Sequence, residues 1–162
     1  MKKLILLFAL CISGLLCETS FAQVQIRVNI VSQPIWGPVG YDYVDYYYLP
    51  DIETYYYVPS HKYIYVENGN WVTRSYLPPR YRGYDMYKTR IVVVNEPKPY
   101  LHHNDYRVRY ASSNDRLNRQ SIRDSRDSKY FENKNHPEHS KWKQNKGNQG
   151  RHQEQNSGRK HD

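Results

Sequence analysis

Short stretches of this chain alternate between apolar and polar side chains, a pattern typical of half-buried strands. In residues 23 to 31 the alternate positions are aliphatic: Val24, Ile26, Val28 and Ile30. Residues 106 to 110 alternate too, and their arginines favour an exposed edge strand. Residues 91 to 94 are continuously apolar, which indicates a strand that is central or buried on both sides.

The strongest local signal is the pair Asn68-Gly69 between two apolar stretches. Asn-Gly favours a two-residue type I′ hairpin turn, since both central positions need a positive φ. This turn sets a register in which Val66 lies opposite Trp71. The same register places Glu67 opposite Asn70, Tyr65 opposite Val72 and Tyr63 opposite Arg74.

A tyrosine repeat extends this hairpin into a meander. The sequence Tyr-Tyr-Tyr-Leu-Pro at residues 46 to 50 returns as Tyr-Tyr-Tyr-Val-Pro nine residues later. With loops at residues 50 to 53 and 59 to 61, one sheet face is predicted to carry six tyrosines. They are Tyr46, Tyr48, Tyr55, Tyr57, Tyr63 and Tyr65, with Arg74 placed for a cation–π contact with Tyr63.

This tyrosine face has two interpretations. Its rings could pack against the strand at residues 24 to 30 or the one at residues 91 to 94, with their hydroxyls reaching water. Alternatively, they form an exposed aromatic platform for a sugar, a peptide or a protein partner. On the second interpretation, the six tyrosines and Arg74 are the ligand contacts.

Composition divides the rest of the chain. Residues 23 to 110 number 88, enough for one small domain with a single core. After residue 110 the apolar side chains are few and scattered among amides, lysines and arginines. Such a segment buries too little surface to offset an ordering entropy of about 1–2 kcal/mol per residue. Residues 111 to 162 are therefore predicted to be a disordered basic tail.

The first 22 residues read as an export signal. Lys2 and Lys3 precede an apolar run at residues 4 to 16, and Ser20 and Ala22 supply the small residues before a cleavage site. The run is too short for a spanning helix, so no transmembrane span is expected in the mature chain. Both cysteines lie within this signal, which leaves the exported protein without disulfides.

No catalytic motif stands out, so an enzyme is not predicted and no cofactor is implied. The pair His102-His103 superficially resembles a metal site. Adjacent residues of an extended chain point in opposite directions, so these two histidines are only weak candidates and no metal site is predicted.

The charge points to anionic partners. From residue 23 onward the chain carries 22 Lys and Arg against 15 Asp and Glu. Export and the lack of an RNA-binding motif disfavour nucleic acid. An anionic polysaccharide, lipopolysaccharide or an envelope protein is the partner that this charge favours.

Several of these blocks carry a family resemblance. Residues 46 to 59, 63 to 71, 77 to 81 and 92 to 100 resemble a group of small exported tyrosine-rich proteins of Bacteroidota-type Gram-negative bacteria. The resemblance covers roughly residues 34 to 110. It implies a shared β-rich domain and a periplasmic or surface location, and it transfers no functional residue.

Together these features predict an all-β domain, an antiparallel meander or a small barrel or sandwich, followed by the disordered tail. The function they favour is a non-enzymatic structural or binding role in the periplasm, at the outer envelope or after secretion. Two alternatives remain open. One is a carbohydrate- or peptidoglycan-binding module that uses the tyrosine face, and the other is a small enzyme or a metal-buffering protein.

The cleavage site gives the first test. Intact-mass analysis of the exported protein should show Gln23 as its first residue, because Ser20 and Ala22 satisfy the peptidase pattern. A secreted form that keeps residues 1 to 22 would contradict the assignment of an export signal.

Overall fold

The protein folds around one open antiparallel sheet. The computed structural model describes residues 28–111 and 119–158. The strands are β1 (Tyr46–Leu49), β2 (Thr54–Tyr57), β3 (Lys62–Glu67), β4 (Asn70–Arg74) and β5 (Val92–Val94), in the spatial order β4-β3-β2-β1-β5. The predicted antiparallel meander is confirmed for β1 to β4. The sheet is not closed into a barrel and helical segments cover it, so the fold is mostly β rather than all β.

The turns explain the register. The β3–β4 hairpin turns at Asn68 and Gly69, which have φ values of 51° and 78°, and its predicted pairs are all present. The β1–β2 connection is a 3₁₀ turn at Pro50–Ile52, closed by Glu53 in the left-handed region. It spans four residues, so Tyr46 pairs with Tyr57 and Tyr48 with Tyr55, as predicted.

The predicted β2–β3 register is wrong by one residue. This connection repeats the first one, with a 3₁₀ turn at Val58–Ser60 and a left-handed His61. It therefore uses four residues instead of the predicted three. Tyr55 lies opposite Ile64 and Tyr56 opposite Tyr63, and because side chains alternate, Tyr63 and Tyr65 lie on the other face of the sheet.

Each face of the sheet has its own core. One face, here called the helix face, buries Tyr46, Tyr48, Tyr55, Ile64 and Val94. The opposite face buries Tyr47 and Tyr56 together with Val44 and Val58. Residues 28–44, here called the arm, cover this second face, where the Trp36 ring lies 5.4 Å from Tyr47 and 5.1 Å from Tyr56.

A helix covers the helix face. The chain continues from a 3₁₀ turn at Pro99–His102 into α1 (His103–Tyr110). The edge strand predicted at residues 106 to 110 is therefore wrong. Tyr106 and Tyr110 are four residues apart, which places both rings on one side of a helix. Tyr106 is buried there, with its ring 5.8 Å from that of Tyr48 and 6.0 Å from that of Tyr55.

Two other strand predictions need correction. β5 pairs only with β1 and forms an edge of the sheet, so residues 91 to 94 are not a central strand. The first predicted strand begins in residues 23 to 27, which lie outside the described residues, as does the predicted signal of residues 1 to 22. Where the predicted strand of residues 23 to 31 ends, Ile30–Ser32 forms a 3₁₀ turn. The side-chain amide of Asn29 joins this segment to Val44 in place of a strand ladder. It donates to the Val44 carbonyl and accepts from the Val44 N–H.

The prediction of a disordered tail is wrong for residues 119 to 139. This segment, here called the clasp, packs against the arm and buries Ile122 and Tyr130 beside Ile30. Backbone hydrogen bonds join the N–H of Ile122 to the carbonyl of Gly37 and the N–H of Arg123 to that of Ile35. The composition argument failed because these hydrogen bonds allow two apolar side chains to dock a polar segment.

Side chains complete the docking of the clasp. The Tyr130 hydroxyl accepts the N–H of Gly40 at 2.7 Å, and the Asn133 amide donates to the Gln33 carbonyl at 2.6 Å. The Arg119 guanidinium donates to the carbonyls of Trp36, Met86 and Thr89. The clasp leads into α2 (His139–Gly158). Within the described residues, neither helix combines the length and the apolar character needed to cross a bilayer.

The docked clasp predicts a stability effect. Ile122→Ala should lower the free energy of unfolding by about 2–5 kcal/mol, because it removes a fully buried aliphatic side chain. Urea denaturation of the exported form measures this change. The control Val108→Ala alters a side chain that is 75% exposed and should change stability by less than about 0.5 kcal/mol. Equal stability of the two variants would contradict the docking of the clasp.

A candidate binding groove beside Trp71

The predicted ligand contacts do not form one exposed platform. Tyr46, Tyr48, Tyr55 and Tyr65 are buried, and Tyr57 and Tyr63 are partly buried. Tyr63 and Tyr65 also lie on the opposite face from the other four. Arg74 does lie opposite Tyr63, but its guanidinium pairs with Glu67 at 3.1 Å. The rings are packed in two cores, but α1 and the arm cover them, and not the strands predicted at residues 24 to 30 or 91 to 94.

A groove lies where the β3–β4 hairpin meets the start of α1. Its volume is about 420 Å³, which falls within the range of small-molecule sites, roughly 300–1,000 Å³. One wall comes from the hairpin and the other from the turn that leads into the helix. The lining residues are Val66, Trp71, Tyr100, Leu101, His102, His103, Asn104 and Asp105.

The lining is amphipathic. Val66 is 43% exposed and Leu101 is 64% exposed, although both are aliphatic. Asn104 and Asp105 are exposed at the first turn of α1, beside these apolar groups. Exposed apolar side chains that gather in one concave place, next to polar groups, mark a contact site.

Neighbouring rings fix the Trp71 side chain in the groove. The Trp71 ring lies 5.2 Å from that of His103, 5.6 Å from that of Tyr100 and 5.9 Å from that of Tyr55. Tilted and edge-to-face contacts of this kind contribute about 0.5–1.5 kcal/mol beyond area burial. Trp71 is half buried, so it belongs both to the core of the helix face and to the groove.

Beneath Trp71, three polar side chains form a chain of contacts. A ring nitrogen of His103 lies 3.2 Å from the Tyr55 hydroxyl, and the other lies 3.7 Å from a Glu53 carboxylate oxygen. Glu53 closes the β1–β2 turn with φ 48°. The turn that sets the strand register therefore also places this carboxylate beside the helix.

Burial keeps the His103 and Tyr55 side chains of this floor uncharged near neutral pH. It lowers the pKa of His103, an effect that outweighs the opposing pull of Glu53. Burial also raises the pKa of Tyr55, with a further contribution from Tyr48. Burial and then Glu53 raise the pKa of Tyr48 to about 12. Beneath the groove, the neutral rings of His103 and Tyr55 therefore share a hydrogen bond with each other.

The two weak metal candidates have different surroundings. His102 is exposed, whereas His103 is largely buried and contacts Tyr55. Across residues 28–111 and 119–158, no three side chains among His, Cys, Asp and Glu are grouped to hold a metal ion.

Comparisons with known proteins identify no relative from which the role of this site could be inferred. No family model, no curated protein and no solved structure matches the chain.

Sequence reasoning missed the groove for two reasons. It gave Trp71 only a position opposite Val66 in the hairpin, and it considered His103 only as a metal ligand. Tyr100 and Leu101 drew no attention because residues 99 to 110 were not expected to be helical. Pro99, at the first position of the turn that leads into α1, is a helix-start signal that could have indicated the second wall.

The buried imidazole predicts a pH dependence. Because the folded pKa of His103 lies below the unfolded value of about 6.5, the unfolded chain binds more protons under mildly acidic conditions. The stability that neutral His103 provides is present above about pH 6.5 and is lost as the pH falls toward the folded pKa. His103→Gln should therefore reduce the loss of unfolding free energy between about pH 7 and pH 5.

Denaturation curves at several pH values measure this effect. His102→Gln is the matched control, and it should keep the wild-type dependence because His102 is exposed. A nuclear magnetic resonance titration of His103 with a midpoint above about 6.5 would contradict the assignment.

Proposed function

We propose that this protein is exported to the cell envelope and acts there by binding, without catalysis, through the Trp71 groove. The observation that carries this proposal is the gathering of exposed Val66 and Leu101 around a fixed tryptophan ring. Exposing aliphatic side chains in a concave place is unfavourable unless a partner covers them.

The rigidity of the groove supports a binding role. Trp71 is held by three neighbouring rings, and its hairpin is closed by a two-residue turn with every predicted backbone pair present. A side chain that is already fixed loses little conformational entropy when a ligand arrives. The site is therefore suited to recognise a ligand that has a defined shape.

The polar floor of the groove supports a non-catalytic role. The Tyr55 hydroxyl and the His103 ring contact each other, and burial raises the pKa of Tyr55 while it lowers that of His103. A phenol with a raised pKa is a poor nucleophile. These groups join α1 to the sheet, where they hold the groove in shape.

Two sequence features support the envelope as the place of action. Residues 1 to 22 have the three-part pattern of an export signal. The chain that follows has seven more basic than acidic side chains, which attracts it to anionic surfaces. The partner is therefore an envelope component, and the candidates are an anionic polysaccharide, lipopolysaccharide or a protein.

A sedimentation assay with purified envelopes tests the proposal. The exported form should co-sediment with Gram-negative envelope fragments, and Leu101→Glu should reduce the bound fraction at least fivefold, because it places a charge in the apolar wall. Val108→Glu is the matched control, since Val108 is also an exposed aliphatic residue of this region but does not line the groove. Equal binding by the two variants would exclude the groove as the contact site.

A further inference from the structure

The Trp71 groove offers both apolar and polar surface to a ligand. Val66, Trp71 and Leu101 present apolar surface, whereas Asn104 and Asp105 present amide and carboxylate groups. A ligand that fits must have an apolar face and a polar edge close together. The small volume of the groove, about 420 Å³, suits a short segment of a polymer.

A pyranose ring has this division. Its C–H bonds form an apolar face that packs on an aromatic ring, while its hydroxyl groups project from the edge and need hydrogen-bond partners. Trp71 offers the aromatic surface, in an orientation set by Tyr100 and His103. Asn104 can both donate and accept hydrogen bonds, and the Asp105 carboxylate accepts them.

The aliphatic residues add a further requirement. A sugar that carried only hydroxyl groups would leave Val66 and Leu101, 43% and 64% exposed, against polar groups. An acetamido substituent supplies a methyl group that can cover such side chains. It also supplies an N–H that a carboxylate such as that of Asp105 can accept.

We infer that the Trp71 groove binds N-acetylhexosamine units of envelope glycans. This inference rests on the proposed binding function and names its ligand class. The ring lies on Trp71, the acetamido methyl lies against Val66 and Leu101, and the polar start of α1 takes the acetamido N–H and the hydroxyl groups.

Trp71 lies on β4, an edge strand of the sheet, but the lining of the groove comes from side chains and favours a sugar over an extended peptide. Peptides that add to a sheet gain affinity from main-chain hydrogen bonds along a free strand edge. Val66 and Trp71 are cross-strand partners whose side chains lie on the helix face of the sheet. The groove is therefore built on a face and a helix start, where side-chain contacts decide recognition.

Calorimetric titration with defined oligosaccharides tests the ligand class. The exported form should bind the β-1,4-linked trimer of N-acetylglucosamine and quench its tryptophan fluorescence. Cellotriose, which has the same linkage but hydroxyl groups in place of the acetamido groups, should bind at least tenfold more weakly. Soluble peptidoglycan fragments and purified lipopolysaccharide then distinguish the two envelope sources of N-acetylated sugars.

Two exposed positions give variants that keep the fold. Leu101→Ser and Asp105→Asn should each weaken binding of the N-acetylated trimer at least fivefold, with denaturation curves close to that of the wild type. Val108→Ser, an exposed change outside the groove, should bind as the wild type does. Trp71→Phe should weaken binding as well, and its stability must be measured because Trp71 also packs in the core.

The outcomes separate this inference from the proposed function. Absence of binding at millimolar trimer overturns the ligand class, and so does equal binding of cellotriose. Binding that the groove variants leave unchanged overturns the site, and binding of muropeptides through their peptide alone supports the other class of ligand. If Leu101→Glu abolishes envelope binding while the trimer fails to bind, the binding function stands and only its assignment to N-acetylhexosamines falls.

Discussion

Consecutive tyrosines in the central strands impose the main constraint on this fold. Because side chains alternate along a strand, β1 and β2 place large aromatic rings on both faces of the sheet. Neither face can then remain open to water, and each buried hydroxyl gains from a polar partner. The arm provides one cover, with Gln33 accepting the hydrogen bond of Tyr47 at 3.0 Å. Helix α1 provides the other cover, with His103 contacting Tyr55.

The groove is a by-product of this second cover. Helix α1 is only eight residues long and begins beside Trp71, so it shields Tyr48 and Tyr55 fully but leaves the outer part of the hairpin uncovered. The same contacts that bury the two tyrosines hold Trp71 at the boundary. The rigidity of the core therefore extends to the Trp71 ring at the edge of the groove.

Local turn chemistry made part of this fold predictable from sequence. Asn68-Gly69 gave the β3–β4 register, and the first proline turn gave that of β1 and β2. The register predicted for β2 and β3 was wrong because Val58 has the side chain of a typical strand residue but begins the second proline turn. The prediction of disorder for the clasp failed for a different reason. The clasp is docked by backbone hydrogen bonds to the arm, and no local sequence pattern reveals such bonds. The groove could not be predicted without the helix that forms its second wall.

The position of the clasp in the chain also affects the order in which the protein folds. The hydrogen bond between Asn133 and Gln33 joins residues 100 positions apart. Closing a flexible loop of that length costs about 4 kcal/mol of chain entropy, far more than one such hydrogen bond returns. We therefore expect the meander, whose contacts are local, to form before the clasp docks on the arm. A chain that emerges from its amino end therefore cannot make the contact between Gln33 and Asn133 until residue 133 has been released.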